Sequence, residues 1–463
     1  IIVSPGRYLE NIVIDGKGIK IRSTNPLDDN IVKSTIIDGQ TRDTVITLSN
    51  VVDSTATLEG LTIMNGKAQY GGGINAKNSI FTLDNCVVTS NTNTATGNII
   101  ASGGGIDARD SILNLNNCII TSNSCFGGDS GASGGGIYCD NTTTTIKGCK
   151  INKNSVLGGN GITGRFQDGR VGLSGNGGGL YFLNSKARID DCNIINNISA
   201  SGSVLLGGLI HAIYGYCLPS KGGGIYFKDS SIIVSDSIID INLSKGGDVN
   251  STGRAPMAIE QGADSFGGGI YCETTTTSLN NCIISENSSI GGSIDAIYEN
   301  PTKQHGGSYG GGVYNIDSSV SIVNCTIADN NIQRGGGLGT KIEIGGGIYG
   351  NYTTIINTIL WNNRVNQIDG ATTSTQPIYS NIQDWASGGL GNISLDPRFI
   401  NVVAGDYHLR SDSPCIDAGA RIENLLDDID GDKRPQGREY DIGADEFVNR
   451  KSGIEARTWD LYE

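Results

Sequence analysis

The sequence predicts an all-β solenoid, in which one short strand-and-turn unit repeats along the chain as a stack of parallel coils. Two observations favour this fold. A Gly-Gly-Gly-aliphatic motif recurs eight times, and the residues that follow each motif align almost without gaps. Within the aligned block apolar and polar residues alternate, which is typical of short strands and not of helices. Repeats of this length indicate a solenoid or a propeller.

The composition excludes several other classes of protein. Glycine makes up 69 of the 463 residues without a G-X-Y period, so the chain is not a collagen. Charged residues are 17% and hydrophobic residues 37%, which suits neither a charge-rich disordered chain nor a membrane bundle. No run of about 20 apolar residues predicts a membrane-spanning segment.

The charge balance suits a soluble extracellular protein, although many cytosolic proteins are acidic too. Lys and Arg total 33 against 47 Asp and Glu, a formal net charge of -14, and no basic cluster is present. Nucleic-acid binding is therefore not expected, because it requires a surface that neutralises phosphates. The first residues, Ile-Ile-Val-Ser-Pro-Gly, are typical of a strand already under way, so we expect a processed or truncated form.

The repeat defines columns of residues that we expect to stack along the solenoid. The aliphatic residue after each triplet is Ile74, Ile106, Ile137, Leu180, Ile225, Ile270, Val313 or Ile348. A second column holds Cys86, Cys118, Cys149, Cys192, Ser237, Cys282 and Cys325. Because serine replaces cysteine once, a small buried residue is favoured over a crosslink. Cys139 and Cys272 share another inward position, and the pairing of Cys125, Cys217 and Cys415 is left open.

A further column contains only asparagine. Its members are Asn91, Asn123, Asn154, Asn197, Asn242, Asn287, Asn330 and Asn363. Asparagine tolerates left-handed backbone, and stacked amides can hydrogen-bond to one another and to the backbone of turns. The column predicts a structural asparagine ladder at a turn, and the glycine triplets predict tight corners with close backbone approach.

These motifs resemble those of right-handed parallel β-helix proteins in the pectate-lyase-like superfamily, and among them the polymorphic outer-membrane protein repeat. The stretch from Ser413, SPCIDAG…DDIDGDKRP…YDIGADEF, is similar to the closing module of bacterial secreted and surface β-helix proteins. The resemblance implies a single-stranded right-handed parallel β-helix with long loops on one flank. It implies N-terminal coils in 1–70, eight repeats in 71–363, a closing module in 364–447, and a tail or assembly arm in 448–463.

The residue after the aliphatic column predicts an aromatic stripe. It is tyrosine in six successive repeats: Tyr138, Tyr181, Tyr226, Tyr271, Tyr314 and Tyr349. By alternation these side chains point outward and form a stripe about 24 Å long, suited to sugar faces or to a protein partner. The alternative is a tyrosine ladder covered by the neighbouring loops.

The variable loops leave the same corner of each coil and are the second candidate for function. Two of them share a pattern of apolar positions, and the candidate contact residues are Leu209, Ile210, Ile213, Tyr214, Ile294, Ile297 and Tyr298. Either the loops bury one another in a second packed layer, or they present an apolar surface to a partner.

Asp428, Asp430 and Asp432 are the candidate metal ligands, because carboxylates at alternate positions around a turn glycine are how calcium loops begin. A plain acidic turn is the alternative. No catalytic residue is predicted. The Arg434-Pro-Gln-Gly-Arg438 segment is similar to an arginine motif of pectate lyases, but it lies in the closing module.

Together these features predict a non-enzymatic extracellular or bacterial cell-surface protein that is structural or adhesive. Its expected partners are copies of itself, in a filament or matrix, or cell-surface glycans. The alternatives are a carbohydrate-binding protein and a polysaccharide lyase or hydrolase that acts on an acidic glycan.

Overall fold

A computed structural model describes residues 1–449 except 96, 98, 161–169, 207–213, 252–258, 297–303, 338–341, 352 and 371–375. The chain winds as a parallel β-helix, as the sequence predicts. In the described part of the chain, three long parallel sheets enclose the core, and they hold eleven, eleven and twelve strands. We number the sheets in the order in which one coil visits them.

Sheet 1 contains Ile12–Asp15, Ile46–Ser49, Ile74–Lys77, Ile106–Arg109, Ile137–Asp140, Leu180–Leu183, Ile225–Lys228, Ile270–Glu273, Val313–Ile316, Ile348–Gly350 and Ile368–Asp369. Sheet 2 contains Ile2–Val3, Lys20–Ser23, Ala56–Glu59, Ile80–Asp84, Ile112–Asn116, Thr143–Lys147, Lys186–Asp190, Ser231–Ser235, Thr276–Asn280, Ser319–Val323 and Thr353–Ile356. Sheet 3 contains Gly6–Tyr8, Thr35–Asp38, Thr62–Met64, Val87–Thr89, Ile119–Thr121, Lys150–Asn152, Asn193–Ile195, Ile238–Asp240, Ile283–Ser285, Thr326–Ala328, Ile359–Trp361 and Asn381–Ile382.

Four shorter parallel sheets extend the coils on one side. Sheet 4 contains Lys67–Ala68, Thr92–Thr94, Ser124–Phe126, Ser155–Leu157, Ile198–Ala200, Leu243–Lys245, Ser288–Ile290 and Asn331–Gln333. Sheet 5 contains Ala101–Ser102, Ala132–Ser133, Gly175–Asn176, Ser220–Lys221, Ser265–Phe266, Ser308–Tyr309 and Glu343–Ile344. Sheet 6 contains Val204–Leu206, Val249–Ser251 and Ile294–Ala296, and sheet 7 contains Arg170–Gly172, Tyr214–Cys217 and Ile259–Gln261.

The remaining elements are few. Phe399–Asn401 and Asp406–Leu409 form an antiparallel hairpin around a 3₁₀ turn at Val402–Ala404, and one short helix spans Asp29–Ser34. Within the described residues, no helix is long and apolar enough to cross a membrane.

The glycine triplets turn the chain from sheet 5 into sheet 1, and each glycine of a triplet is required for a different reason. Gly177 has a φ of 65°, a left-handed conformation that side chains disfavour. A Cβ on Gly178 would lie 2.3 Å from the carbonyl oxygen of Gly223 in the next coil. A Cβ on Gly179 would lie 2.8 Å from the carbonyl oxygen of Gly224. The predicted tight corner with close backbone approach is confirmed.

The inward columns of sheets 1 to 3 form one continuous apolar core. The predicted aliphatic column from Ile74 to Ile348 is completely buried, and so is the cysteine column. Each thiol of that column donates to a backbone carbonyl, as Cys118 does to Leu83 at 3.3 Å. Ser237 makes the same kind of bond to Ser235 at 2.6 Å. All eleven cysteines are buried free thiols, so the prediction of small buried residues is confirmed.

The asparagine ladder crosses the described coils from Asn91 to Asn363. The Asn197 amide nitrogen donates to the Asn242 side-chain oxygen at 3.0 Å and to the Ile151 carbonyl at 2.8 Å. Its own side-chain oxygen accepts the backbone and side-chain N–H groups of Asn154, both at 3.0 Å. The left-handed residue of this turn is not the ladder asparagine but the one before it, such as Asn196 with a φ of 56°.

A second ladder between sheets 4 and 5 was not predicted from the sequence. In the earlier coils small apolar side chains fill this space, among them Ala101, Cys125 and Val156. In the later coils buried serines replace them. Ser265 donates to Ser244 at 2.9 Å, and Ser289 donates to Ser265 at 3.0 Å. Buried hydroxyls are tolerated here because each of these serines donates a hydrogen bond to a neighbouring serine.

The closing module folds back along the outer face of sheet 3. Tyr407, Ile429 and Ala444 pack on an apolar stripe made by Ile195, Ile238, Ile283 and Ala328. The side-chain amide of Asn281 also donates to the Asp427 carbonyl at 2.9 Å. The module therefore spans several coils along their side in addition to following the last one.

We expect the asparagine ladder to be a major source of stability. Asn197→Ala leaves two buried donors of Asn154 and the Ile151 carbonyl unpaired, so the free energy of unfolding should fall by about 3 kcal/mol. Urea denaturation measures this change. Asn193→Ala in the same coil, where the side chain lies on the outer face, should change it by less than about 0.5 kcal/mol. Equal losses for the two variants would contradict a special role for the ladder.

Candidate functional site

The six predicted tyrosines do stack in one column on the outer face of sheet 1. Neighbouring ring centroids lie 4.8 to 5.1 Å apart. Tyr271 and Tyr314 are parallel to within 1°, whereas Tyr181 and Tyr226 meet edge to face. Both arrangements are favourable for aromatic pairs. The rings therefore present much of their faces to one another.

The column is buried, so the open stripe predicted for sugar faces or a partner is wrong for most of its length. Tyr138, Tyr181, Tyr226, Tyr271 and Tyr314 are at most 8% exposed, and Tyr349 is half-buried. Phe266 and Tyr309, from sheet 5, pack against the rings together with Leu183 and Ile316 of sheet 1. The alternative, a ladder covered by its neighbours, describes these residues.

Charged residues complete the cover of the tyrosine column. Glu273 accepts hydrogen bonds from Tyr226 at 2.7 Å and Tyr271 at 3.2 Å, and it pairs with Lys221 at 3.0 Å and Lys228 at 2.8 Å. Burial would raise the pKa of Glu273, but the hydrogen bonds from Lys228, Tyr226 and Lys221 outweigh it and lower the pKa to about 2. Lys221 also lies 4.9 Å from the centroid of the Tyr271 ring.

An ion pair covers the first ring of the column. Asp107 occupies the tyrosine position one coil earlier and is completely buried. Its carboxylate accepts from Arg109 at 2.8 Å, and the Arg109 guanidinium lies 4.9 Å from the centroid of the Tyr138 ring. Both ion networks are thus used to seal aromatic rings.

The described parts of the variable loops form a second packed layer. Val204, Val249 and Ile294 stack in sheet 6 and pack against Cys217 and Ala263. Ile294, a candidate contact residue, is therefore part of an interior. The candidates Leu209, Ile210, Ile213, Ile297 and Tyr298, as well as the side chain of Tyr214, lie outside the described residues.

The three carboxylates predicted to bind calcium do lie together. One oxygen each from Asp428, Asp430 and Asp432 falls within a span of 4.8 Å. The Asp428 side chain, however, accepts the backbone N–H groups of Asp430, Asp432 and Glu446 at 2.8 to 2.9 Å. Burial raises the pKa of Asp428 to about 7. These bonds fit the alternative of an acidic turn, and calcium binding stays a prediction.

His408 joins this region, and no sequence pattern had linked it to the acidic turn. Its Nδ1 lies 2.6 Å from the Asp406 carboxylate and its Nε2 lies 2.7 Å from that of Asp430. Burial would lower the pKa of His408, but the hydrogen bonds with Asp406 and Asp430 raise it to about 10. His408 therefore connects the antiparallel hairpin to the acidic turn.

Arg434 has a structural role. Its side chain is fully buried, pairs with Glu446 at 3.1 Å, and donates to the backbone carbonyls of Gly443 and Ala444 at 2.9 and 2.8 Å. A group enclosed in this way does not reach a polysaccharide. The similarity to a lyase arginine motif does not extend to an exposed base.

An acidic groove of about 420 Å³ separates the closing module from the turns that follow sheet 2. Its charged lining residues are Arg188, Asp191, Asp236, Asp427, Asp428 and Asp430. Several of these carboxylates already hold neighbouring groups. Asp236 accepts from Asn281 at 2.9 Å, and Asp427 pairs with Lys433. The excess of negative charge disfavours an acidic glycan in this groove.

A second acidic cluster lies under the hairpin. Asp240 is 1% exposed; one of its oxygens accepts from Ser285 at 2.7 Å, and the other has no hydrogen-bond partner among the described residues. Burial raises the pKa of Asp240 to about 7, and the nearby Glu286 carboxylate adds to the shift. Tyr407 of the hairpin donates to Asp329 at 3.0 Å, and Asp329 also raises the pKa of Asp240.

No protein-family model matches the chain, and a search of curated proteins finds no significant match. The geometry of the described residues therefore carries the functional argument.

Glu273 should stabilise the sealed column through its lowered pKa. The stabilisation that comes from the lowered pKa of Glu273 is fully present above 4.5, the pKa of this group in the unfolded chain. It is lost as the pH falls towards 2. Glu273→Gln should therefore reduce the free energy of unfolding by about 1–2 kcal/mol at pH 7, after allowance for solvent screening. The difference from wild type should shrink as the pH falls from 5 to 2. Exposed Glu10→Gln is the control, and a difference independent of pH would contradict the assignment.

Asp240 should have the opposite effect, because its pKa is raised above the unfolded value of 3.8. The contribution of Asp240 to the free energy of unfolding is therefore most favourable below its unfolded-state pKa. It declines as the pH rises towards 7, where the buried carboxyl ionises. Asp240→Asn should increase the free energy of unfolding at pH 8 by about 2 kcal/mol and leave it nearly unchanged at pH 4. Urea denaturation at the two pH values measures this, with exposed Asp229→Asn as the control. A loss of stability at pH 8 would refute the interpretation.

Proposed function

We propose that the protein is a non-enzymatic structural or adhesive scaffold, located outside the cell or on a bacterial cell surface. The observation that carries the proposal is the continuity of the solenoid. Sheet 1 has eleven strands in register among the described residues, which corresponds to a column about 50 Å long. One apolar core and one asparagine ladder run through it, so adjacent coils are tied at several corners at once.

The use of the charged side chains also supports a scaffold. Several carboxylates that could otherwise serve in proton transfer are engaged in holding structure. Glu273 seals the tyrosine column, Asp428 organises a turn, and Asp430 binds His408. The buried tyrosine faces likewise disfavour the carbohydrate-binding alternative, which requires open aromatic platforms.

The similarity of the repeat and of the C-terminal stretch to bacterial surface β-helix proteins supports the same location. The partners in this proposal are copies of the chain, in a filament or matrix, or glycans of a cell surface. The apolar positions on the outer face of sheet 4 offer one place for such contacts. Phe126 and Leu157 lie side by side there, and their side chains are 38% and 42% exposed.

Immunogold electron microscopy of the cells that make the protein tests its location. We expect label outside the cytoplasm, in the surface layer or in extracellular material. Purified protein should release neither unsaturated products nor reducing ends from acidic polysaccharides. Label confined to the cytoplasm, or product formation with turnover, would overturn the scaffold proposal.

Sedimentation over a concentration series separates the two kinds of partner. Growth into extended assemblies indicates self-association, and Phe126→Ser should weaken it, whereas Ile112→Ser, on the exposed face of sheet 2, should not. If the protein stays monomeric and binds no surface glycan, both proposed kinds of partner are contradicted.

A further inference from the structure

The surroundings of His408 differ from those of an ordinary buried histidine. The hairpin strand Asp406–Leu409 places its ring between two other segments of the closing module. One segment supplies Asp430, whose carboxylate lies 2.7 Å from Nε2. The other supplies Asp445, whose carboxylate accepts the backbone N–H of Leu409 at 2.7 Å. Three segments of the closing module thus meet beside the His408 side chain.

The three side chains can contribute ligands to a single ion. A ring nitrogen of His408 and one oxygen each from Asp430 and Asp445 lie within 4.8 Å of one another. The His408 and Asp430 side chains are 9% and 5% exposed, and Asp445 is 6% exposed. One imidazole nitrogen and two carboxylate oxygens are the ligand types found in many divalent transition-metal sites.

Asp406 adds a feature that the three ligands do not share. Its carboxylate lies 2.6 Å from Nδ1 of His408 and fixes the ring with Nε2 directed at Asp430. A histidine that binds a metal usually donates its other N–H to a carboxylate or a carbonyl in this way, which orients the ring and strengthens the ligand. Asp406 belongs to the same hairpin, so ligand and support move as one unit.

The charge around the site also favours a cation. Five carboxyl groups of the closing module are nearly buried: Asp428, Asp430, Asp441, Asp445 and Glu446. Arg434 is the buried guanidinium among them, and it is committed to Glu446. A surplus of buried carboxylates is costly unless protons or cations offset it. A divalent ion between Asp430 and Asp445 that displaces the His408 proton would add one net positive charge where the carboxylates converge.

We propose that His408, Asp430 and Asp445 bind a divalent transition-metal ion of the zinc class, with Asp406 as the positioning residue. The ion fastens the antiparallel hairpin to the two later segments and so holds the closing module on sheet 3. Calcium is not the expected ion because it takes oxygen ligands. When the ion binds Nε2, the proton shared with Asp430 leaves to solvent, so one proton is released for each ion bound.

The competing arrangement is the oxygen-only group of Asp428, Asp430 and Asp432, which suits calcium. The two groups share Asp430 but differ in His408 and Asp432. Single substitutions at these two positions therefore distinguish them.

Isothermal titration of the full chain with ZnCl₂, after EDTA treatment and dialysis, tests the proposal. We expect one zinc ion per chain and a raised melting temperature. His408→Asn should weaken binding at least tenfold and abolish the shift in melting temperature. Asp432→Asn should change neither result, and Asp427→Asn, a half-exposed neighbour, is the second control.

The opposite outcomes are equally clear. Absence of zinc binding, or zinc binding that His408→Asn leaves intact, overturns the proposal. Tight calcium binding that Asp432→Asn removes, without a zinc site, also overturns it and assigns the oxygen-only group. If His408→Asn fails to fold, zinc-edge X-ray absorption of the wild-type protein decides. A spectrum with an imidazole nitrogen among oxygens is expected, and an oxygen-only spectrum overturns the site.

Discussion

The amide-to-amide hydrogen bond between asparagines of adjacent coils is the interaction on which the rest of the structure depends. Each ladder side chain is buried, so its donors and acceptor must all be satisfied inside the protein. An asparagine at the equivalent place in the next coil accepts its amide N–H at 3.0 Å, and the same amide also donates to a strand carbonyl of the preceding coil. Coils whose variable loops differ in length therefore have the same register at the asparagine ladder. At the last rung Gln367 takes the place of a further asparagine, and its side-chain oxygen accepts from Asn363 at 2.7 Å.

The ladder also explains the third glycine of each triplet. A Cβ on Gly179 would lie 3.0 Å from the side-chain carbon of the Asn197 amide, too close for the ladder to keep its geometry. The asparagine and the glycine therefore constrain each other across the width of the coil. Beyond this corner the chain varies freely in length, which is why the loops and their two small sheets are tolerated on that flank.

Much of the fold follows from the sequence because the repeat makes the same position visible many times. The aliphatic, cysteine and asparagine columns are predicted from spacing, since stacking in a parallel solenoid leaves little choice of partner. The tyrosine column shows the limit of this reasoning. Alternation predicts that the Tyr226 side chain projects from the outer face of sheet 1. It does not predict that Lys221 and Phe266 of sheet 5 cover that face. What covers a side chain depends on the angle between sheets, which the repeat does not encode.

The contacts of the closing module were not predictable from the sequence. Tyr407 reaches Asp329, 78 residues away, and Ala444 binds Thr326 across 118 residues. These contacts occur once and leave no periodic trace in the sequence. The connection between His408 and Asp430 is of the same kind, because it depends on how a hairpin folds over sheet 3. Contacts that occur once form the candidate site, whereas contacts that repeat from coil to coil form the fold.

The buried thiols have a consequence for where this protein can mature. All eleven cysteines are free and enclosed, and burial raises the pKa of Cys86, Cys139 and Cys272 to about 12, so reactive thiolate is scarce. No crosslink has to form or be reshuffled for the described chain to reach this structure. The same coils can therefore assemble in a reducing cytoplasm or in an oxidising medium, without an oxidase or an isomerase. No disulfide contributes to the order of the described coils.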